Sequence, residues 1–233
     1  MTLLRIEGLS AGYGEVDIIR DMALAVTDRE IVTIAGTNGA GKSTLVKAIM
    51  GLTPRCTGTL AFDGQDLLRR APEDRIGIGI SYVPQVANVF APLTVTENLQ
   101  VVEKVGDRKS RMAEMFELFP ALASRRRAAA GSLSGGERQQ LAFARALMPS
   151  PKMMLLDEPT AALSPALVRQ VFDLIRSLPS HGVAALIVEQ RARQSLEISD
   201  RGYILDSGRI VLHGAARELL GNDQMAKHYL GRA

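Results

Sequence analysis

The chain of 233 residues is 46% hydrophobic, 23% charged and 4% aromatic, with 28 Lys and Arg against 25 Asp and Glu for a net charge of +3. That composition is globular rather than disordered, and the length allows one large domain or two small ones with a sizeable core. The lone Cys56 excludes an intrachain disulfide and a cysteine metal cluster and points to a reducing compartment, and a mild positive charge without Trp argues against nucleic-acid binding by base stacking.

The first residues lack a basic stretch followed by an apolar run, so no secretory signal is expected. No stretch reaches the roughly 18 apolar residues needed to span a bilayer. Leu3 to Ile6 reads as a strand. Ile31 to Ala35 (IVTIA) is a continuous apolar run, as expected of a strand buried on both faces. A glycine-rich loop and a helical run (TLVKAIMGL) follow it. Thr57 to Phe62 alternates and suggests a half-exposed antiparallel sheet. From Thr94 to Met148 no strand is expected. Met112, Met115, Phe116 and Phe119 recur there at helical spacing, followed by Pro120, the basic run Arg125 to Arg127, a break at Gly131 and a second helical pattern from Ser134. Met153 to Leu156 and Ala184 to Val188 are again buried-strand runs, and Ala215 to Ala233 reads as short helices. Strands alternating with helices imply an α/β fold with a parallel sheet and an inserted helical region.

Gly36 to Ser43, GTNGAGKS, fits the phosphate-loop pattern G-x-x-x-x-G-K-[ST] between that strand and that helix. Gly36, Gly39 and Gly41 let backbone N–H groups converge, and Asn38 completes the loop. Lys42 can bridge the β- and γ-phosphates, and Ser43, with Thr44 beside it, offers a hydroxyl to Mg²⁺. KMMLLDEP, Lys152 to Pro159, delivers two acids at a strand end: Asp157 to hold Mg²⁺, directly or through water, and Glu158 to polarise an attacking water. LSGGERQ, Leu133 to Gln139, starts a helix with Ser134 as N-cap and Glu137 three residues on. Gly135 and Gly136 are poor first-turn residues unless their bare amides meet a phosphate. One phosphate loop is already present, so the natural customer of this second element is a nucleotide held by another subunit.

GTNGAGKS, LSGGE and LLDEP in this order and spacing resemble the ATP-binding subunits of ABC transporters, across essentially the whole chain. The resemblance implies a P-loop RecA-like core with an antiparallel β-subdomain (about 1–85 and 150–233) and an inserted helical subdomain (about 86–149). It implies ATP and Mg²⁺ as ligands, with Tyr13 of SAGYG stacking on adenine, Gln85 of SYVPQ sensing Mg²⁺ and facing the membrane partner, and Ser134, Gly135 and Gly136 closing on the γ-phosphate of a second ATPase subunit. The family's γ-phosphate histidine is replaced by Gln190, whose amide can donate a hydrogen bond but carries no charge. The usual S-A-L-D loop reads AALS, Ala161 to Ser164. His181, His213 and His228 are expected at the surface.

VEQ (188–190), Leu163-Ser164-Pro165, DRGYIL, GRIVLHG, FAPLTVTENL and the terminal YLG are similar to one subgroup, the ATPases of importers for branched-chain amino acids, amides and urea. Membrane permease subunits and a solute-binding protein are the implied partners, and the cytoplasmic face of the membrane the implied location. The lipopolysaccharide-export ATPase, which normally keeps the histidine, and a soluble ABC-type ATPase are the alternatives.

Overall fold

A computed structural model of the chain describes residues 1–86 and 88–221. The chain opens with β1 (Thr2–Tyr13), β2 (Val16–Thr27) and β3 (Ile31–Gly36), then α1 (Lys42–Met50), β4 (Arg55–Phe62) and β5 (Gln65–Asp66). Next come α2 (Pro72–Gly77), β6 (Ile80–Val83), α3 (Val95–Gln100), α4 (Arg108–Leu118), α5 (Pro120–Ser124) and α6 (Gly135–Leu147). The last part carries β7 (Met153–Asp157), α7 (Pro165–Ser177), β8 (Ala184–Glu189), α8 (Ala192–Leu196), β9 (Arg201–Asp206), β10 (Arg209–Ala215) and α9 (Ala216–Leu220). Only α9 represents the expected terminal helices; His228 and the YLG tripeptide lie outside the described residues.

Two sheets organise the core. One is antiparallel in the order β2-β1-β4-β5; the other runs β10-β9-β3-β8-β7-β6, with β9, β3, β8, β7 and β6 parallel and β10 antiparallel at the edge. Every residue of β3, β7 and β8 is buried. Their side chains alternate between two cores, as pleating requires. Val32, Ile34, Met153, Leu155, Leu186 and Val188 face a cluster shared with α1 and the antiparallel sheet. Ile31, Met154, Leu156, Ala185 and Ile187 face a second cluster built with the helices between β6 and α7. Helix α1 is thus held between two sheets, and the helical region covers the opposite face.

The helical region is set by local signals. Thr94 and Ser134 each cap a helix in a reciprocal box with Glu97 and Glu137. Met115, Phe116 and Phe119 are buried as their spacing implies, and Met112 lies at the edge of the same cluster. Fully buried Asn98 accepts from the Phe90 amide at 2.8 Å and donates to the carbonyls of Phe90, Leu93 and Thr94, so it shapes the loop before α3.

One buried cation has a structural task. Arg75 on α2 donates to the carbonyls of Ala48 and Ile49 at the end of α1 and to those of Leu67 and Arg70. Burial pushes its pKa down, yet the α1 carbonyls offer the negative end of a helix dipole. Arg75→Ala strands several buried acceptors, and we expect a loss of about 3 kcal/mol. By calorimetry that is a fall in melting temperature of roughly 6–12 °C.

Candidate nucleotide and phosphate site

The site forms above the C-terminal ends of β3, β8 and β7, where a parallel sheet leaves a crevice. After β3 the chain turns through exposed Thr37, Asn38 and Gly39 into α1. Gly41 sits at φ 105°, and a Cβ there would lie 2.7 Å from Ile19 Cγ2, so glycine is required by backbone and by space. The first-turn amides of α1, those of Lys42, Ser43 and Thr44, have no intrahelical acceptor and carry the positive end of the helix. Lys42 is only 4% exposed. Its Nζ donates to the Gly36 and Thr37 carbonyls at 3.0 and 3.1 Å and stands 3.3 Å from Glu158 Oε1.

The two acids at the end of β7 take different partners. Asp157 Oδ1 accepts from Ser43 Oγ at 2.9 Å, and Oδ2 accepts from the Tyr82 hydroxyl at 3.2 Å. Glu158 Oε2 accepts from Gln85 Nε2 at 2.9 Å, so its carboxylate bridges Gln85 and Lys42. Glu158 has φ 47°, an uncommon conformation for a non-glycine residue, and its amide is tied to the Val188 carbonyl at 2.9 Å. Lys42, Ser43, Gln85, Asp157 and Glu158, nominated separately by the sequence, therefore meet in two adjacent groups, Ser43 with Asp157 and Lys42 and Gln85 with Glu158, joined through the Asp157–Glu158 peptide.

Gln190 is exposed at the end of β8, with its backbone N–H donating to Glu189 Oε2 at 3.1 Å. Glu189, 2% exposed, is the residue that sequence reasoning passed over. It accepts from Thr160 N and Oγ1 at 3.0 and 2.6 Å and from the amides of Gln190 and Arg191, which pins the turn after Glu158 to the turn holding Gln190. A carboxylate closing the apolar run AALIV was the available signal, since Asp157 closes MMLL in the same way. Tyr82 was also missed; its strand is only four residues long.

Tyr13 ends β1 at a tight turn, 42% exposed and opposite Val16. Ser134 caps α6 as expected and is exposed. Among the described residues, no hydrogen bond or ion pair joins Ser134, Gly135 or Gly136 to the phosphate loop. Gly136 has a further reason to be glycine: it is buried, and a Cβ would lie 2.4 Å from Leu167 Cδ2 on α7. Gly135 meets no such limit, with Leu163 at 3.9 Å. His181 and His213 are exposed.

The donor set suits a hard cation. One buried carboxylate and one hydroxyl converge, and among the described residues no group of three or more His, Cys, Asp and Glu could hold a metal alone. Magnesium is commonly held this way, with substrate phosphates and waters filling the remaining positions. Burial raises the Asp157 pKa above the ordinary aspartate value, opposed by the bonds from Ser43 and Tyr82. A raised folded-state pKa stabilises the fold below the unfolded value, and that contribution is lost as pH rises through the folded one. Asp157→Asn, without nucleotide or Mg²⁺, should therefore melt higher than the parent at pH 8. The gap should close toward pH 4 in thermal denaturation followed against pH.

A family model described as "ABC transporter" matches residues 19–161. The high-affinity branched-chain amino acid transport ATP-binding protein BraG of Pseudomonas aeruginosa is 39% identical over 98% of this chain and 100% of its own. The probable branched-chain amino acid transport ATP-binding protein LivF of Archaeoglobus fulgidus is 41% identical over 98% and 99%. The lipopolysaccharide export ATP-binding protein LptB of Escherichia coli is 35% identical over 99% and 98%. A crystal structure of a nucleotide-free ATP-binding cassette superposes with a TM-score of 0.86 at 26% identity, with both chains fully covered. With the phosphate loop, the paired acids and this fold in one polypeptide, the chain belongs to the ABC transporter family as an ATP-binding, ATP-hydrolysing subunit.

Proposed function

We propose that this ATPase drives an importer for branched-chain amino acids, acting on separate permease subunits at the cytoplasmic face of the membrane and served by a solute-binding protein. The observation that carries it is the convergence of Lys42, Ser43, Asp157 and Glu158 in a chain similar, over 98% of its length, to two branched-chain amino acid transport ATP-binding proteins. Similarity to the lipopolysaccharide-export proteins is lower, and that remains the second reading. Among the described residues no helix is long and apolar enough to cross a membrane, so the pathway would belong to other chains.

In this reading the amides of the phosphate loop and Lys42 bind the β- and γ-phosphates of ATP. Lys42 is neutralised by Glu158, so incoming phosphates compete for the ammonium and leave the glutamate facing the γ-phosphate. Glu158 then accepts a proton from the attacking water, oriented by Gln85. Ser43, Asp157 and Gln85 would hold Mg²⁺, which would supply positive charge to offset that of the phosphates. Gln190 donates an amide hydrogen bond to the γ-phosphate. Tyr13 stacks on adenine, and Ser134 to Gly136 of a second ATPase subunit close over the phosphates.

Of the described residues, those of about 1–85 and 150–221 form the nucleotide-holding lobe and those of about 86–149 the helical lobe. A groove of about 490 Å³ between α2, β6 and α6 offers the permease a docking surface, with Ile76, Phe90 and Val101 exposed along it. Arg145 stacks over the Phe90 ring at 4.4 Å and donates to the Asn88 carbonyl at 2.6 Å. The loop that floors this groove also carries Gln85, which links docking to Glu158.

Glu158→Gln should lower steady-state ATPase at least about 10²-fold while ATP binding persists, and should trap an ATP-bound dimer in size-exclusion chromatography. Near-parental turnover would remove Glu158 as the base. Gln190→Ala should impair hydrolysis and Gln190→His preserve it; an alanine variant with full activity would remove the γ-phosphate contact. Co-purification with branched-chain amino acid permease subunits, and ATPase stimulated by the loaded binding protein, test the transport assignment.

A further inference from the structure

The segment from Tyr82 to Gln85 touches both acids of the site. Gln85 donates to Glu158, and Tyr82, three residues earlier on β6, donates its hydroxyl to Asp157 Oδ2. The Tyr82 ring packs against the cluster shared by α1 and the antiparallel sheet. Its position is therefore set by packing, and the hydroxyl is delivered by a rigid phenol with only two side-chain torsions to fix.

This makes the two oxygens of Asp157 unequal. Oδ1 faces Ser43 of the phosphate loop, and Oδ2 is engaged by a donor that belongs to neither the phosphate loop nor the β7 end. A carboxylate held on one side only can rotate about its final torsion; donors on both oxygens fix its plane. Groups that hydrogen-bond to metal-ligating carboxylates orient them and tune metal affinity.

We propose that Tyr82 is a positioning residue for Mg²⁺·ATP: by engaging Oδ2 it fixes the Asp157 carboxylate so that Oδ1, on the Ser43 side, serves the cation. The proposal rests on Asp157 as a magnesium residue, as in the reading above. It separates metal affinity from nucleotide affinity, because the Tyr82 hydroxyl donates to the carboxylate and, among the described residues, to no atom of the phosphate loop.

The test is Tyr82→Phe, which removes one oxygen and keeps the ring. Binding of a fluorescent ATP analogue is measured in EDTA and then against Mg²⁺, and Mn²⁺ binding to the nucleotide-bound protein is followed by electron paramagnetic resonance. Affinity in EDTA should stay within about twofold of the parent, and half-saturating Mg²⁺ and the Mn²⁺ dissociation constant should both rise about tenfold. Turnover at saturating Mg²⁺ should change far less than turnover at limiting Mg²⁺. A purely structural hydrogen bond would lower melting temperature and leave the metal curves superimposed on the parent's, and that result overturns the proposal. Asp157→Asn run in parallel separates the two failures. If it shifts the metal curves and Tyr82→Phe does not, the Tyr82 proposal alone falls; if neither shifts them, the reading of Asp157 falls with it.

Discussion

A carboxylate withdrawn from water needs donors, and Asp157 draws its own from two elements far away in the chain. Ser43 lies 114 residues earlier and Tyr82 75 residues earlier. Neither bond can form unless β7 stands beside β6 on one flank, with α1 laid across the same face of the sheet. The strand order and the packing of α1 between two sheets are thus the conditions under which this one buried charge is tolerated. Asp157 keeps a raised pKa even so, because the bonds from Ser43 and Tyr82 offset its desolvation only in part.

The remaining charges are matched in the same spirit. Lys42 is nearly sealed from solvent and would be costly alone; Glu158 and two carbonyls compensate it. Glu158 reaches that position through a left-handed backbone conformation, of the kind that costs on the order of 1–3 kcal/mol and is retained where surroundings enforce it. The enforcing contacts are the Val188 carbonyl and, one turn on, the Thr160 side chain fastened to Glu189. Glu189 accepts four hydrogen bonds, which explains how a carboxylate sits at the end of a buried strand beside Asp157 and Glu158 with no ion-pair partner among the described residues.

Much of this was legible in the sequence, for definable reasons. The runs IVTIA, MMLL and AALIV are strands buried on both faces, and such strands announce themselves as unbroken apolar stretches. The phosphate loop, the acids and the Ser134 cap depend on local spacing and were readable for that reason. β6 was not: four residues between a glycine turn and a proline carry too little periodicity, and Tyr82 went unnoticed with it. The 12-residue β2 also escaped, because its inward positions Ile19, Met22, Leu24 and Val26 are broken by a residue at positive φ, Asp21. Gly136 was assigned a backbone purpose when a close approach from Leu167 is also at work, a contact between residues 31 apart that no local pattern announces.

The phosphate loop follows β3, and β3 is paired on both sides by strands from the last quarter of the chain, β8 and β9. Gly36 even rests against the Leu205 carbonyl. On a ribosome, then, the loop is made early and stays without its frame until residues near 205 have emerged. At about 5–20 residues per second that interval is on the order of ten to thirty seconds. During it the most apolar strand of the N-terminal part has both edges open, a state prone to wrong pairing. Biogenesis of this subunit is therefore most exposed in the window between its first and last core strands, which is where a holding chaperone would have the most to protect.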